Sequence, residues 1–146
     1  PLDPAINKAV NLSLPPMRKV SYAFDSRAQF LKGFIDLLFF YKNQYFIVDW
    51  KSNDLGNSPE HYRYEPVVDD LVRHRYPLQF MLYTAALYQY LKLPDSAKTI
   101  SSLFGGVYYL YLRGMDGTSE NGVFYHRPQK DEILTVLNHL KVIPHD

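Results

Sequence analysis

The sequence predicts a mixed α/β domain around a central sheet, and three observations carry that reading. Two β-rich apolar runs, residues 30–41 and 45–51, flank Lys42-Asn43. Helical spacing then fills the middle of the chain. Strand patterns return at 107–112 and 123–127 before a last amphipathic helix. With 146 residues and 47% hydrophobic content, the chain is expected to form one domain with a sizeable core.

Element by element, residues 1–16 end in Pro15-Pro16 and read as a lead-in with at most a short helix at 4–12. Residues 17–24 alternate loosely through Val20, Tyr22 and Phe24 and suggest a strand. The 30–41 and 45–51 runs read as a hairpin, and 53–59, with Asn, Asp, Gly, Ser and Pro, as a loop. Val67, Val68, Leu71 and Val72 fit one helical face, which Pro77 is expected to end. Residues 79–91 form a stronger helix, with Phe80, Tyr83, Ala86, Leu87, Tyr90 and Leu91 on its apolar stripe. Gly105-Gly106 opens the 107–112 strand, and 114–122 turns the chain into 123–127. The closing helix rests on Ile133, Leu134, Val136, Leu137 and Leu140.

Composition removes several function classes. The chain has no cysteine, which excludes disulfide scaffolds, thiolate zinc sites, cysteine nucleophiles and iron–sulfur clusters. Sixteen Lys and Arg against fifteen Asp and Glu leave a charge of +1, unlike a polycation that grips nucleic acid by charge alone. No apolar run reaches the roughly 20 residues of a membrane-spanning helix. The N-terminal Pro1-Leu2-Asp3-Pro4 is no signal peptide, and a start without Met suggests a piece of something longer.

Two carboxylates interrupt the hairpin strands, where an unpaired charge is costly: Asp36 and Asp49. If Lys42-Asn43 is a two-residue turn, Tyr41 faces Gln44 and the same register sets Asp36 opposite Asp49. Lys51 falls on the Asp49 face of its strand. One ammonium balances one carboxylate, so the pair suits a divalent, oxygen-preferring cation such as Mg2+. Such an ion would polarise a phosphodiester and activate water, with Lys51 orienting that water or steadying developing charge. The other reading of Asp-x-Lys is a solvated surface pair worth about 0–1 kcal/mol.

Gly33 and Asp36, then Asp49-Trp50-Lys51, then Gln79 and Tyr83, resemble the ordered motifs of the PD-(D/E)XK nucleases. Residues 31–37, 48–56, 74–79 and 104–114 narrow the resemblance to the C-terminal nuclease domains of the RecB family, the beta subunits of exodeoxyribonuclease V. It runs from about Met17 to Pro128. The resemblance implies a restriction-endonuclease-like mixed sheet flanked by helices, and a Mg2+-dependent DNA exonuclease of a bacterial, cytoplasmic helicase–nuclease that repairs double-strand breaks. It implies Asp36, Asp49 and the Trp50 main-chain carbonyl as metal ligands, with Mn2+ or Ca2+ able to take the same place. Lys51 becomes the catalytic lysine, and Gln79 and Tyr83 further catalytic residues. Implied partners are DNA, the gamma and alpha subunits (RecC and RecD) and the RecA recombinase, without a membrane.

The family also carries a metal-binding His on a helix before the first Asp, whereas all five histidines here follow Asp36. Residues 17–146 are therefore expected to be a partial nuclease domain lacking that helix. The alternative function is a catalytically incomplete DNA-binding or docking module with the nuclease fold. Arg73, His74 and Arg113 are candidate DNA contacts, with an ordinary solvated helix end as the competing reading of His74. Tyr83 also fits a packing role. Strand alternation puts Tyr109 and Tyr111 on one face and Tyr108 on the other, which favours packing over base stacking.

Overall fold

The computed structural model describes residues 33–91 and 102–139. The expected lead-in and the 17–24 strand lie outside them. The chain divides into two compact units. One, Ile35–Tyr76 with Ser102–Arg127, holds the sheet, and the other contains Gly33, Phe34 and the residues of two helices from Pro77 and Pro128 onward.

The sheet is mixed and four-stranded, in the order β1-β2-β3-β4: β1 (Leu37–Tyr41), β2 (Gln44–Lys51), β3 (Phe104–Tyr111) and β4 (Val123–His126). β1 and β2 are antiparallel, β2 and β3 parallel, β3 and β4 antiparallel. This is the expected α/β, restriction-endonuclease-like class.

Lys42 and Asn43 both sit at positive φ, 47° and 61°, the combination a two-residue primed turn requires. The register follows: Tyr41 faces Gln44, and pairing runs on to Leu37 and Val48. The expected 30–41 strand is shorter in its described part, because residues 33–36 lie outside the ladder. The cause is local. The Asp36 carboxylate accepts the Trp50 main-chain N–H at 2.9 Å, so a side chain takes the donor that the next ladder step would use.

β3 joins β2 through an irregularity at Tyr45/Phe46, where Gly105 is the extra residue. A Cβ on Gly105 would lie 2.3 Å from the Phe46 ring, so only glycine lets that ring cross. Beyond this bulge Asp49 sits beside Tyr109 and Lys51 beside Tyr111. Tyr109 and Tyr111 are fully buried and Tyr108 is not, as alternation predicts for packing residues.

Within the same unit α1 (Tyr64–Arg73) buries Val67, Val68 and Leu71, the expected face. Its Tyr64 ring stacks on Phe124 of β4 at 6.1 Å. Pro77 does not end this helix. α1 stops at His74-Arg75, where Arg75 turns the chain at φ 60°, and α2 (Tyr76–Tyr90) starts before Pro77. Proline is tolerated there because first-turn N–H groups have no intrahelical acceptor.

In the second unit α2 differs from expectation in its buried face. Leu78, Phe80, Met81, Ala85, Leu87 and Tyr88 are buried, whereas Ala86 is exposed and Tyr90 is 81% exposed. The helix is apolar on nearly every side, so spacing alone does not select the face. α3 (Lys130–His139) buries Ile133, and Glu132 caps its start by accepting the Gln129 N–H at 2.5 Å. Among the described residues no helix is long and apolar enough to cross a membrane.

Candidate active site

β2 places alternate side chains Asp49 and Lys51 on one face and Trp50 on the other. Asp49 and Lys51 are buried while Trp50 is 43% exposed. The Lys51 ammonium lies 2.5 Å from Asp49 Oδ2. Asp36 stands one step past the last bridged pair, at the position that opposes Asp49. Its exposed carboxylate is fixed through one oxygen by the Trp50 N–H.

Burial pushes the Asp49 carboxyl above the ordinary carboxylate range. The Lys51 ammonium opposes this by hydrogen bond and charge, and the Asp36 carboxylate adds to the rise. The Lys51 ammonium thus pairs with Asp49, while the Asp36 carboxylate is near enough to be felt as a second negative charge.

The donor set suits a divalent ion. Both carboxylates offer hard oxygens, and Asp36 uses only one in its bond to Trp50. In an extended strand the N–H and C=O of one residue face the same neighbour. The Trp50 carbonyl thus faces the edge where β1 has ended and Asp36 stands, and the β1–β2 ladder does not use it. Among the described residues no group of three or more His, Cys, Asp or Glu side chains converges. Any further coordination of such an ion would fall to main chain and water.

The surroundings of Lys51 were not foreseen. Its ammonium lies 3.6 Å from the Tyr76 ring centroid and 5.0 Å from that of Tyr109. Behind these rings is Asp70, 4% exposed, whose carboxylate accepts Asn53 Nδ2 at 2.6 Å and the Tyr111 hydroxyl at 3.0 Å. His74 Nδ1 lies 3.1 Å from its other oxygen. A partial signal was present in the sequence, since Asp70 follows Val67 of the expected apolar face by three residues.

The remaining candidates fall in different places. His74 closes α1, held by Asp70 and stacked 5.4 Å from Tyr76, and Arg73 beside it is exposed. Arg113 donates through Nε to the Ser52 carbonyl at 3.0 Å and lies 4.0 Å from Asp54, so it braces the loop after Lys51. Gln79 and Tyr83 belong to the other unit. Their expected common face is real: Gln79 Nε2 donates to the Tyr83 hydroxyl at 2.9 Å. The Tyr83 ring lies against Gly33, where a Cβ would come within 2.7 Å of it. That close approach accounts for the glycine.

Comparison with known proteins gives the chain a family. The family model of the PD-(D/E)XK nuclease superfamily matches residues 7–141. The chain is 38% identical over 118 residues to the RecBCD enzyme subunit RecB of Haemophilus influenzae, covering 81% of this chain and 10% of that protein. It is 41% identical over 99 residues to the Escherichia coli subunit, covering 67% of this chain and 8% of that protein. Against the subunit of Buchnera aphidicola subsp. Schizaphis graminum, identity is 42% over 98 residues, covering 67% and 8%. The chain thus spans about a tenth of the length of the curated relatives it matches.

Proposed function

Because the chain belongs to the PD-(D/E)XK nuclease superfamily, we propose that it is the Mg2+-dependent exodeoxyribonuclease portion of a bacterial helicase–nuclease. The observation that carries this reading is the buried Asp49–Lys51 ion pair with the Asp36 carboxylate near it, one step past the last bridged pair of the hairpin. The names of its relatives, subunits of the RecBCD enzyme, support a place beside RecC- and RecD-like subunits, and a cytoplasmic location is part of the same proposal. DNA is the proposed substrate, broken ends the setting, and RecA a further partner.

In the proposed reaction Asp36, Asp49 and the Trp50 carbonyl would hold the ion, and Mn2+ or Ca2+ would be able to replace Mg2+. When bound, the ion polarises a phosphodiester and lowers the pKa of water. The Trp50 N–H keeps Asp36 turned toward that position. Burial withholds water from Asp49 and so strengthens its attraction for positive charge. Lys51 donates from a fixed ammonium to the attacking water or to a phosphate oxygen carrying developing charge. Gln79 and Tyr83, joined tip to tip, are proposed to bind a phosphate, and Arg73, His74 and Arg113 to contact the DNA backbone.

The test is release of nucleotides from single-stranded DNA by the full-length protein in Mg2+. Asp49→Ala must abolish it with the circular dichroism spectrum unchanged. Undiminished cleavage by a folded Asp49→Ala protein overturns the assignment.

A further inference from the structure

We propose that Tyr76 is a positioning residue whose ring holds the Lys51 ammonium on the Asp49 carboxylate; its catalytic consequence rests on the nuclease reading above. A lysine side chain has four rotatable bonds and, left alone, samples many positions of its ammonium. Useful chemistry needs that group fixed to within about 0.5 Å. The bond to Asp49 Oδ2 sets one contact but leaves the direction of approach open.

Tyr76 supplies the second contact. Its centroid lies 3.6 Å from Lys51 Nζ, well inside the roughly 6 Å reach of a cation–π interaction. Lys51 is only 7% exposed, so the attraction acts where water screens it weakly. Tyr109 adds a second ring at 5.0 Å.

The ring is itself held from several directions. It stacks on Tyr109 at 5.6 Å and 14°, and on His74 at 5.4 Å and 18°. The Tyr109 hydroxyl donates to the Tyr76 carbonyl at 3.1 Å, and Asn53 Nδ2 reaches the Tyr76 hydroxyl at 3.4 Å. Asn53 and His74 both end on Asp70. Asn53 follows Lys51 by two residues and His74 precedes Tyr76 by two, so one buried carboxylate ties the chain leaving the lysine to the chain entering the ring. Arg75, at φ 60°, makes the turn that brings Tyr76 there. A ring needed only to fill space would not require the segments on either side of this contact to share one anchor.

The experiment compares Tyr76→Phe, which keeps the aromatic face, with Tyr76→Leu, which keeps bulk without it. The first readout needs no DNA. Lys51 ε-methylene protons in the free protein should show an upfield ring-current displacement in wild type and Tyr76→Phe, and lose most of it in Tyr76→Leu, where only the more distant Tyr109 ring remains. The second readout is cleavage kinetics in full-length protein. Tyr76→Leu should lower kcat by about tenfold to a hundredfold with KM for DNA within about twofold, and Tyr76→Phe should restore it. Retention of the displaced Lys51 signal in folded Tyr76→Leu overturns the proposal, as does loss of kcat in Tyr76→Phe equal to that in Tyr76→Leu. A wild-type protein that cleaves nothing overturns the nuclease reading instead, and the Lys51 signal still decides the positioning.

Discussion

Asp49 and Asp70 are buried to the same extent, each 4% exposed, yet they sit in opposite chemical situations. Asp70 is surrounded by donors that belong to the fold: the Asn53 amide, the Tyr111 hydroxyl and the His74 ring. Asp49 meets the Lys51 ammonium while a second carboxylate stands opposite, and burial drives its carboxyl upward. Equal burial therefore does not mean equal role. Asp70 is satisfied by the fold and organises structure, whereas Asp49, raised by burial and paired with one lysine, is the carboxylate proposed above to hold a metal ion.

Asp49→Asn should lower Mg2+-dependent cleavage by about a hundredfold or more, equivalent to about 2.7 kcal/mol of transition-state stabilisation. It should also abolish the rise in unfolding midpoint that Mg2+ gives the wild-type protein. An unchanged Mg2+ response in a thermal melt would move the metal away from Asp49.

Asp70→Ala should act on stability instead, costing about 3 kcal/mol in urea denaturation because it strands the Asn53 amide and the Tyr111 hydroxyl. Its midpoint should still rise with Mg2+. Tyr111→Phe removes one hydrogen bond to the same carboxylate and should cost about 1.5 kcal/mol, measured in the same way.

The smallest effect comes from a third carboxylate, which is exposed yet well supplied with donors. Main-chain N–H groups of Thr118 and Ser119 hold Asp116 at a pKa of about 2, below its ordinary 3.8. Its contribution to stability should be complete above the ordinary value and vanish as pH falls through about 2. A carbon-13 titration of its carboxyl reads this directly; an ordinary midpoint would show the loop bonds to be transient in solution.

The hairpin and its carboxylates were legible because a two-residue turn leaves one register. Lys42-Asn43 fixed the pairing, which runs to Leu37 and Val48 and leaves Asp36 and Asp49 as the next residue on either strand. Gly105-Gly106 marked the entry to β3, although the bulge it makes against Phe46 appears only once β2 and β3 meet. The buried face of α2 was not legible, since apolar residues surround the helix and periodicity has no contrast to report. Pro77 misled for a related reason, because proline signals both the end of one helix and the first turn of the next. Asp70 and Tyr76 were missed because their meaning depends on contacts to Tyr111, Asn53 and Lys51, which spacing along the chain does not encode.

The turn at Lys42-Asn43 also bears on the order of folding. Asp36, Asp49 and Lys51 all lie on one hairpin or its immediate end, and such a hairpin closes in about 1–10 μs. The parallel joining of β2 to β3 must wait for a long crossover, and non-local pairings of that kind are the slow ones. On these timescales the charged groups are expected to meet before Tyr109 and the strand that seals them arrive. During that interval the two carboxylates repel each other in water rather than in a dry interior, where the same repulsion would be several times larger. A local turn lets the chain assemble its most unfavourable contact under the mildest conditions.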